Sequence, residues 1–361
     1  MIPRAFFLLT VGVMLIIQSV YGQMADSTAL KVLTLNVWSG LDYEGVFHMG
    51  EYESAEHRRN RKQILLRKLR ESAPDVICLQ EVNPVPAYAR SLADQLGYQN
   101  YSRVAMGGIR FGPVGIPVNF REGDAILVRD GIEMRPLGRE KLVGAGISTN
   151  YFTFHFGEIT QVIGVEIRMG GERIQVFNTH LHAGPGTTDD VLDHVRDRWK
   201  AGEITADPFA DILERFHSHQ ERRREELHHA LNFIKETGEP GLLTLFAGDF
   251  NLTPEEKTYR QITDAGFQDA YLRGNDHPPN TWDPQENSNI QSYYKAPEEF
   301  QGPLAAIRWE MDHTARRIDY IFFKDVNKQI TGVEISLFGT TPADGIHISD
   351  HFGLLTEISF K

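Results

Sequence analysis

The chain has 361 residues, 49 acidic against 37 basic, a formal net charge of -12, 41% hydrophobic side chains and a single cysteine. This is the composition of a folded soluble protein, long enough for one large core or two smaller ones. One cysteine excludes an intramolecular disulfide framework and any multi-cysteine zinc or iron–sulfur site. The acidic balance argues against a general electrostatic grip on nucleic acid.

Met1–Gly22 carries Arg4, an apolar run from Ala5 to Ile17, and small residues near Gly22. This is the charge–apolar–small order of a secretory signal, and the run is short for a span of ~20 residues. The reading takes residues 1–22 as a signal peptide and 23–361 as one domain, secreted or periplasmic. An uncleaved membrane anchor is the alternative.

From Leu30 onward, short runs rich in Val, Ile, Leu and Phe alternate with longer amphipathic stretches. Strands are expected over 31–38, 75–82, 124–128, 160–169, 173–182, 242–250, 317–323, 333–338 and 352–360. Several are apolar on both faces, as in strands covered on both sides. Helices are expected over 58–71, 189–200 and 208–236, with Pro208 suited to a first turn. Cys78 sits within an apolar strand and is expected to pack rather than react.

Smaller features have plain readings and sharper ones. The basic HRRNRK (57–62) reads as a solvated helix face, or else as a phosphate grip. The glycine-rich GGIRFGPVG (107–115) lacks a following Lys-Ser/Thr, so it reads as a flexible loop rather than a phosphate-binding one. TNYFTFHF (149–156) reads as a buried strand pair, or as a hairpin that touches a membrane. Residues 184–218 form either a substrate-shaping flap or a surface helix pair. His217, His219, His228 and His229 read as solvated helix histidines, with a metal site as the alternative.

The informative feature is where the polar residues fall. Strand after strand ends in carboxylates, amides and imidazoles: Asn36, Glu81, then Asn178, His180 and His182, then Asp249 and Asn251. Asp319 lies within RRIDYIFF, and SDH (349–351) precedes the last strand. An unpaired buried carboxylate costs several kcal/mol, so repeated occurrences point to strand ends converging on one polar pocket. Glu81, Asp249, Asp350, Asn36 and Asn251 offer hard oxygen donors, which suit Mg²⁺ or Mn²⁺ rather than structural zinc. His180 and His351 exchange protons near neutral pH. A divalent ion with two histidines fits attack of water on phosphorus, with Asp319 fixing the tautomer of His351.

LNVWSG (35–40), LQEV (79–82), NTHLHA (178–183), GDFN (248–251), RRIDYIF (316–322) and SDH (349–351), in this order, resemble the endonuclease/exonuclease/phosphatase superfamily with the DNase I-like fold. The resemblance implies an α/β four-layer α/β/β/α sandwich of two mixed sheets and a Mg²⁺-dependent phosphoesterase, with Mn²⁺ as the substitute. It implies Asn36, Glu81 and Asp350 as the metal set. It implies His180, Asp249, Asn251, Asp319 and His351 as catalytic, with His351 as general base. Asn178 and His182 are expected to touch substrate.

Within the superfamily, THLHA followed by RIDYIF is most similar to the neutral Mg²⁺-dependent sphingomyelinases. That implies a phospholipid or other phosphodiester as substrate, with peripheral membrane contact. A secreted nuclease on the same fold, or a phosphatase of small phosphate esters, is the alternative, and nucleic acid is disfavoured by the charge. A monomer is expected.

Overall fold

A computed structural model describes residues 29–184, 189–274, 280–294, 307, 309 and 313–360. The expected signal segment 1–22 lies outside the described residues.

The first sheet runs β15 (Ile330–Phe338), β16 (Gly353–Phe360), β1 (Ala29–Asn36), β2 (Val76–Val82), β6 (Glu122–Arg129), β3 (Tyr98–Met106). β1 is parallel to β2 and antiparallel to β16, so the sheet is mixed. The second runs β13 (Gln268–Asp269), β14 (Asp319–Lys324), β12 (Leu243–Asp249), β11 (Glu172–His180), β10 (Thr160–Met169), β7 (Glu133–Val143). Here β11 and β12 are parallel and β12 and β14 antiparallel.

Alternation along each strand sorts its side chains into two cores. Val32, Cys78, Ile126, Val165, Val176 and Leu245 meet between the sheets. Leu33, Leu35, Ile77 and Leu79 face outward, against Ile64, Leu65 and Leu69 of α1 (Ala55–Ser72) and Ala89 and Leu92 of α2 (Val85–Leu96). On the far side, Phe177, Phe246 and Phe322 meet Leu227, Ala230 and Phe233 of a long helix, while Tyr259 and Ile262 come from a shorter one. These are α4 (Ala206–Thr237) and α5 (Lys257–Asp264); α3 (Asp189–Lys200) precedes α4. The layers are therefore helix, sheet, sheet, helix, as expected. Cys78 is fully buried, and burial pushes its thiol up beyond reactive range.

The local signals account for these boundaries. Ser54 caps α1 by accepting from His57 N at 3.2 Å, and Ala73 ends the helix in the left-handed region ahead of Pro74. Of the HRRNRK cluster, Arg61 is neither a solvated face nor a phosphate grip. It is 4% exposed, paired with Glu53 at 2.6 Å, and donates to the carbonyls of Val37, Trp38 and Ile348.

A third, four-stranded sheet was not expected: β5 (Val114–Ile116), β4 (Ile109–Phe111), β9 (Phe152–His155), β8 (Gly146–Ser148). GGIRFGPVG is thus a hairpin rather than a flexible loop. Arg110 orders it by donating to the carbonyls of Pro113, Pro117, Val118 and Phe120. TNYFTFHF is half buried: Thr153 and His155 point inward, and Tyr151, Phe154 and Phe156 are exposed. In the 184–218 segment, Val195 of α3 and Ile212 and Phe216 of α4 form a small core with Ile204 and Ile307. That is the packing of a surface helix pair; residues 185–188 lie outside the described ones. No described helix is long and apolar enough to cross a membrane.

Candidate active site at the strand ends

Register alone gathers the polar residues. In the parallel pairs, Asn36 lies beside Gln80 and His180 beside Asp249. In the antiparallel pair, Asp249 faces Asp319, so the start of β14 meets the end of β12. The Ser349–His351 segment precedes β16, and Ser349 Oγ donates to Asn36 O at 2.6 Å. The carboxyl ends of β1, β2, β11 and β12 thus share one edge with the entries of β14 and β16.

Local backbone features finish the placement. Glu81 sits at φ 51 beside a register shift between Leu79 and Val82, a bulge that turns its side chain to the shared edge. Asn251 sits at φ 50 just past β12. Gly248 has to be glycine: a Cβ there would stand 2.0 Å from Thr179 O.

The side chains interlock across the sheets. Asn36 Nδ2 donates to Glu81 Oε1 at 2.9 Å and to Asp249 Oδ2 at 3.0 Å. Glu81 Oε2 accepts from Ser39 N at 3.1 Å. His351 Nδ1 faces Asp319 Oδ2 at 2.9 Å, and His351 Nε2 is 3.8 Å from Asp249 Oδ2. His180 Nε2 is 3.5 Å from Asp249 Oδ2 and 3.1 Å from Asn251 Nδ2. The edge of Trp282 packs on His351, and Tyr294 donates to Asp350 Oδ2 at 2.9 Å.

The field here belongs to buried carboxylates. Burial alone would deprotonate the imidazoles, but the anions win. Asp249 and Glu81 hold His180 up at about 9, and Asp319 and Asp249 hold His351 up at about 10. Burial and then Asp319 raise Asp249. Burial works against Glu81 too, yet His180 and the bonds from Asn36 and Ser39 N keep it below its ordinary value. Burial pushes Asp350 up to about 6, with Glu81 adding to the rise.

Two donor sets at this edge suit a cation. Oxygens of Asp249 and Asp319 and a nitrogen of His351 lie within 4.8 Å of one another. Asp319 Oδ1 is buried without a hydrogen-bond partner. The other set is the expected one, Asn36, Glu81 and Asp350. It offers oxygen alone, the donor that Mg²⁺ and Mn²⁺ demand. Asn36 turns Nδ2 toward Glu81 and Asp249 while Oδ1 accepts from Trp38 N at 2.9 Å, so its amide would have to turn for Oδ1 to join Glu81 around a cation. Burial and neighbouring anions raise Asp249 and Asp350 even with His180 and His351 beside them, and a divalent ion would relieve that cost.

Beside Glu81 and His180 opens a cavity of about 640 Å³. Its walls are mostly apolar, with Met106, Ile109, Ile116, Phe120 and Ile159 among them. Among the described residues that line it there is no lysine or arginine. Two carboxylates from β6, Glu122 and Asp124, face into it; burial pushes them up to about 8 and about 7. Sequence reasoning took β6 from residue 124 and passed over both acids. The signal was there, since carboxylates two apart at the head of an apolar strand share a face.

Two expectations are corrected. Asn178 is not free to touch substrate: it is fully buried, donates to Leu79 O and Ala125 O, and accepts from Gln80 Nε2 at 2.6 Å. It ties one sheet to the other. His182 lies past the end of β11, so it does not share a face with His180. Its Nδ1 faces Glu158 at 2.5 Å and its Nε2 faces His219 Nδ1 at 2.6 Å. It braces Glu158, a wall of the cavity, and ties His219 of α4 to that wall rather than leaving it solvated.

The chain matches the Endonuclease/Exonuclease/phosphatase family over residues 33–351. No curated protein matches it. Among solved structures it is similar to D. rerio TDP2 complexed with single strand DNA product: 19% identity, TM-score 0.56, covering 91% of this chain and 98% of that one. It is also similar to the human Nocturnin catalytic domain with bound sulfate: 17% identity, TM-score 0.53, 92% and 95% covered. A family protein from Bacteroides thetaiotaomicron gives 15% identity and a TM-score of 0.52, with 92% and 98% covered. At these identities the likeness is one of fold.

Proposed function

The chain belongs to the endonuclease/exonuclease/phosphatase family, and we propose that within it the protein is an exported, divalent-cation-dependent phosphodiesterase of sphingomyelinase-C type. Its substrate is a phospholipid or similar phosphodiester rather than nucleic acid. The observation that carries this reading is the mostly apolar cavity beside Glu81 and His180, with no lysine or arginine among its described lining residues. A polyanion gains nothing from such a wall, while an amphiphile does. The exposed Phe156, Ile109 and Ile116 on its lining, with exposed Phe154 packed on Phe156, support contact with a lipid surface. Export rests on the Met1–Gly22 pattern.

In this reading Asn36, Glu81 and Asp350 would hold Mg²⁺ or Mn²⁺, which when bound neutralises phosphate oxygens and polarises phosphorus. The protein's own groups do the rest. Asp319 holds the Nδ1 proton of His351 and directs Nε2 toward Asp249. The carboxylates keep this imidazole protonated in the metal-free protein, and with their charge offset by a cation Nε2 would be free to take a proton from water. Asn251 and Asp249 orient water and phosphate, and His180 donates to a phosphate oxygen or to the leaving alkoxide.

The test is a panel with Mg²⁺: sphingomyelin vesicles, double-stranded DNA, bis-p-nitrophenyl phosphate and an inositol polyphosphate. Turnover of the vesicles and the aryl diester is expected. DNA cleavage without lipid cleavage would replace this reading with a nuclease.

A further inference from the structure

We propose that Arg61 is a positioning residue for the divalent cation: its guanidinium pins the end of β1 to the segment that carries Asp350. The inference rests on the cation reading above and concerns how the donors are held in place.

Arg61 belongs to HRRNRK, the basic run in the first turns of α1. All five N–H groups of its fork are spent. Nε and Nη2 donate to the two oxygens of Glu53 at 3.1 and 2.6 Å. Nη1 donates to Val37 O at 2.7 Å and to Ile348 O at 2.9 Å, and Nη2 donates to Trp38 O at 3.0 Å. One planar group thus joins two backbone segments that lie far apart in the chain. No N–H remains to reach a phosphate.

Each joined segment leads straight to donors of the edge. In the stretch after β1, Trp38 N donates to Asn36 Oδ1 at 2.9 Å and Ser39 N to Glu81 Oε2 at 3.1 Å. Trp38 holds φ 55, a left-handed conformation that a side chain with a Cβ resists. Arg61 keeps it there through the bond to Trp38 O and a charge 4.9 Å from the indole centroid. On the other segment, Ile348 stands two residues before Asp350. Ser349 Oγ closes the same seam by donating to Asn36 O at 2.6 Å. Slippage at this seam would move Asn36 and Glu81 relative to Asp350.

The charges around the fork suit a neighbour that binds a cation. Asp350 lies close enough to feel the guanidinium. Glu53, its side chain wholly enclosed, answers that charge at contact distance. Glu53 also meets Arg58 at 3.3 Å, and Arg58 is answered in turn by Glu51 at 3.3 Å. Two guanidinium groups and two carboxylates therefore balance. A lysine in place of Arg61 keeps the charge, but its three donors cannot span Glu53 and three carbonyls.

The test is calorimetry of Mn²⁺ binding to the full chain without substrate. The native protein should bind the ion, and Glu81→Gln should lose it. Arg61→Lys should weaken binding by ~10-fold or more, the scale for groups that orient metal donors. Ile167→Ala is the control for lost stability. Ile167 is fully buried and pairs with Ile174, at the end of the sheet away from His180. That variant should melt lower with Mn²⁺ binding unchanged. On bis-p-nitrophenyl phosphate, Arg61→Lys should need more Mn²⁺ for half-maximal rate and recover most of its kcat at saturating ion.

Should Arg61→Lys not fold, Glu53→Gln serves in its place. It keeps the three carbonyl bonds and leaves the guanidinium charge unmatched beside Asp350, so Mn²⁺ binding should weaken there too; unchanged binding would overturn the proposal. Glu81-dependent Mn²⁺ binding that is the same in Arg61→Lys, or as much weakened in Ile167→Ala, would reduce Arg61 to a structural tie and leave the cation reading standing. Mn²⁺ binding that Glu81→Gln does not disturb would remove the cation reading, and the role of Arg61 with it.

Discussion

The edge where the strands end and the cavity beside it are both lined by buried carboxylates, yet they balance charge differently. At the edge each acid has a matching group inside the protein: Asp319 has His351, Asp249 has His180 and Asn36, and Glu81 has Ser39 N and Asn36. In the cavity, Glu122 and Asp124 accept from a phenol and an amide, and the opposing charge they feel is His180 of the edge itself. The edge therefore carries an organised field of its own, as reaction centres do. The cavity's acids share that field through His180, and burial raises them further.

The largest effect that sharpens this contrast is on turnover. Asp249→Ala or His351→Ala should lower kcat by ~10² or more while circular dichroism stays native, the scale of electrostatic or acid–base groups. A soluble variant that keeps its rate would break the assignment of the edge.

Asn178→Ala should do the reverse. It removes the donor to Leu79 O and Ala125 O and leaves Gln80 Nε2 with Thr34 Oγ1 alone, at a cost of about 2–4 kcal/mol. The melting temperature should fall by roughly 5 °C or more with kcat per folded molecule nearly unchanged. A selective loss of kcat would return Asn178 to the substrate.

A third effect concerns pH in chelator. Glu122 and Asp124 are raised in the fold, so folding favours their protonated forms. Their contribution is full below the ordinary carboxylate range and is lost as pH rises through about 7 and 8. His180 and His351, held up at about 9 and about 10, give up theirs at still higher pH. Calorimetry should show the metal-free protein melting lower at pH 9 than at pH 6, with a smaller drop in Glu122→Gln. A flat profile would mean these acids are not strained.

The smallest effect belongs to His219→Ala, which removes the partner of His182 Nε2. It should lower stability by about 1 kcal/mol and kcat/KM by less than ~10-fold, both read on the purified variant. A collapse as deep as that of His351→Ala would make the His182 pair part of the reaction.

How much of this was legible in the sequence follows the same division. Asn36, Glu81, His180, Asp249 and His351 stood out because polar groups terminated apolar strands, and register then brought them together. The main strands showed themselves by continuous apolar runs, and α1, α3 and α4 by their apolar stripes. β7 hid because EMRPLGREKLV is a polar edge strand interrupted by Pro136, and α2 because VPAYARSLADQL is short and opens on a proline. The third sheet hid because three-residue strands carry no periodicity and are held by Arg110 from within. The bond from His219 to His182 joins distant elements, and nothing local announces it.

The most direct test of the central claim is hydrolysis of bis-p-nitrophenyl phosphate by the purified chain with chelator and then with added ion. Turnover should vanish in chelator, return with Mg²⁺ or Mn²⁺, and fail to return in Asp249→Ala. Undiminished turnover in chelator would contradict the claim that these strand ends work around a divalent cation.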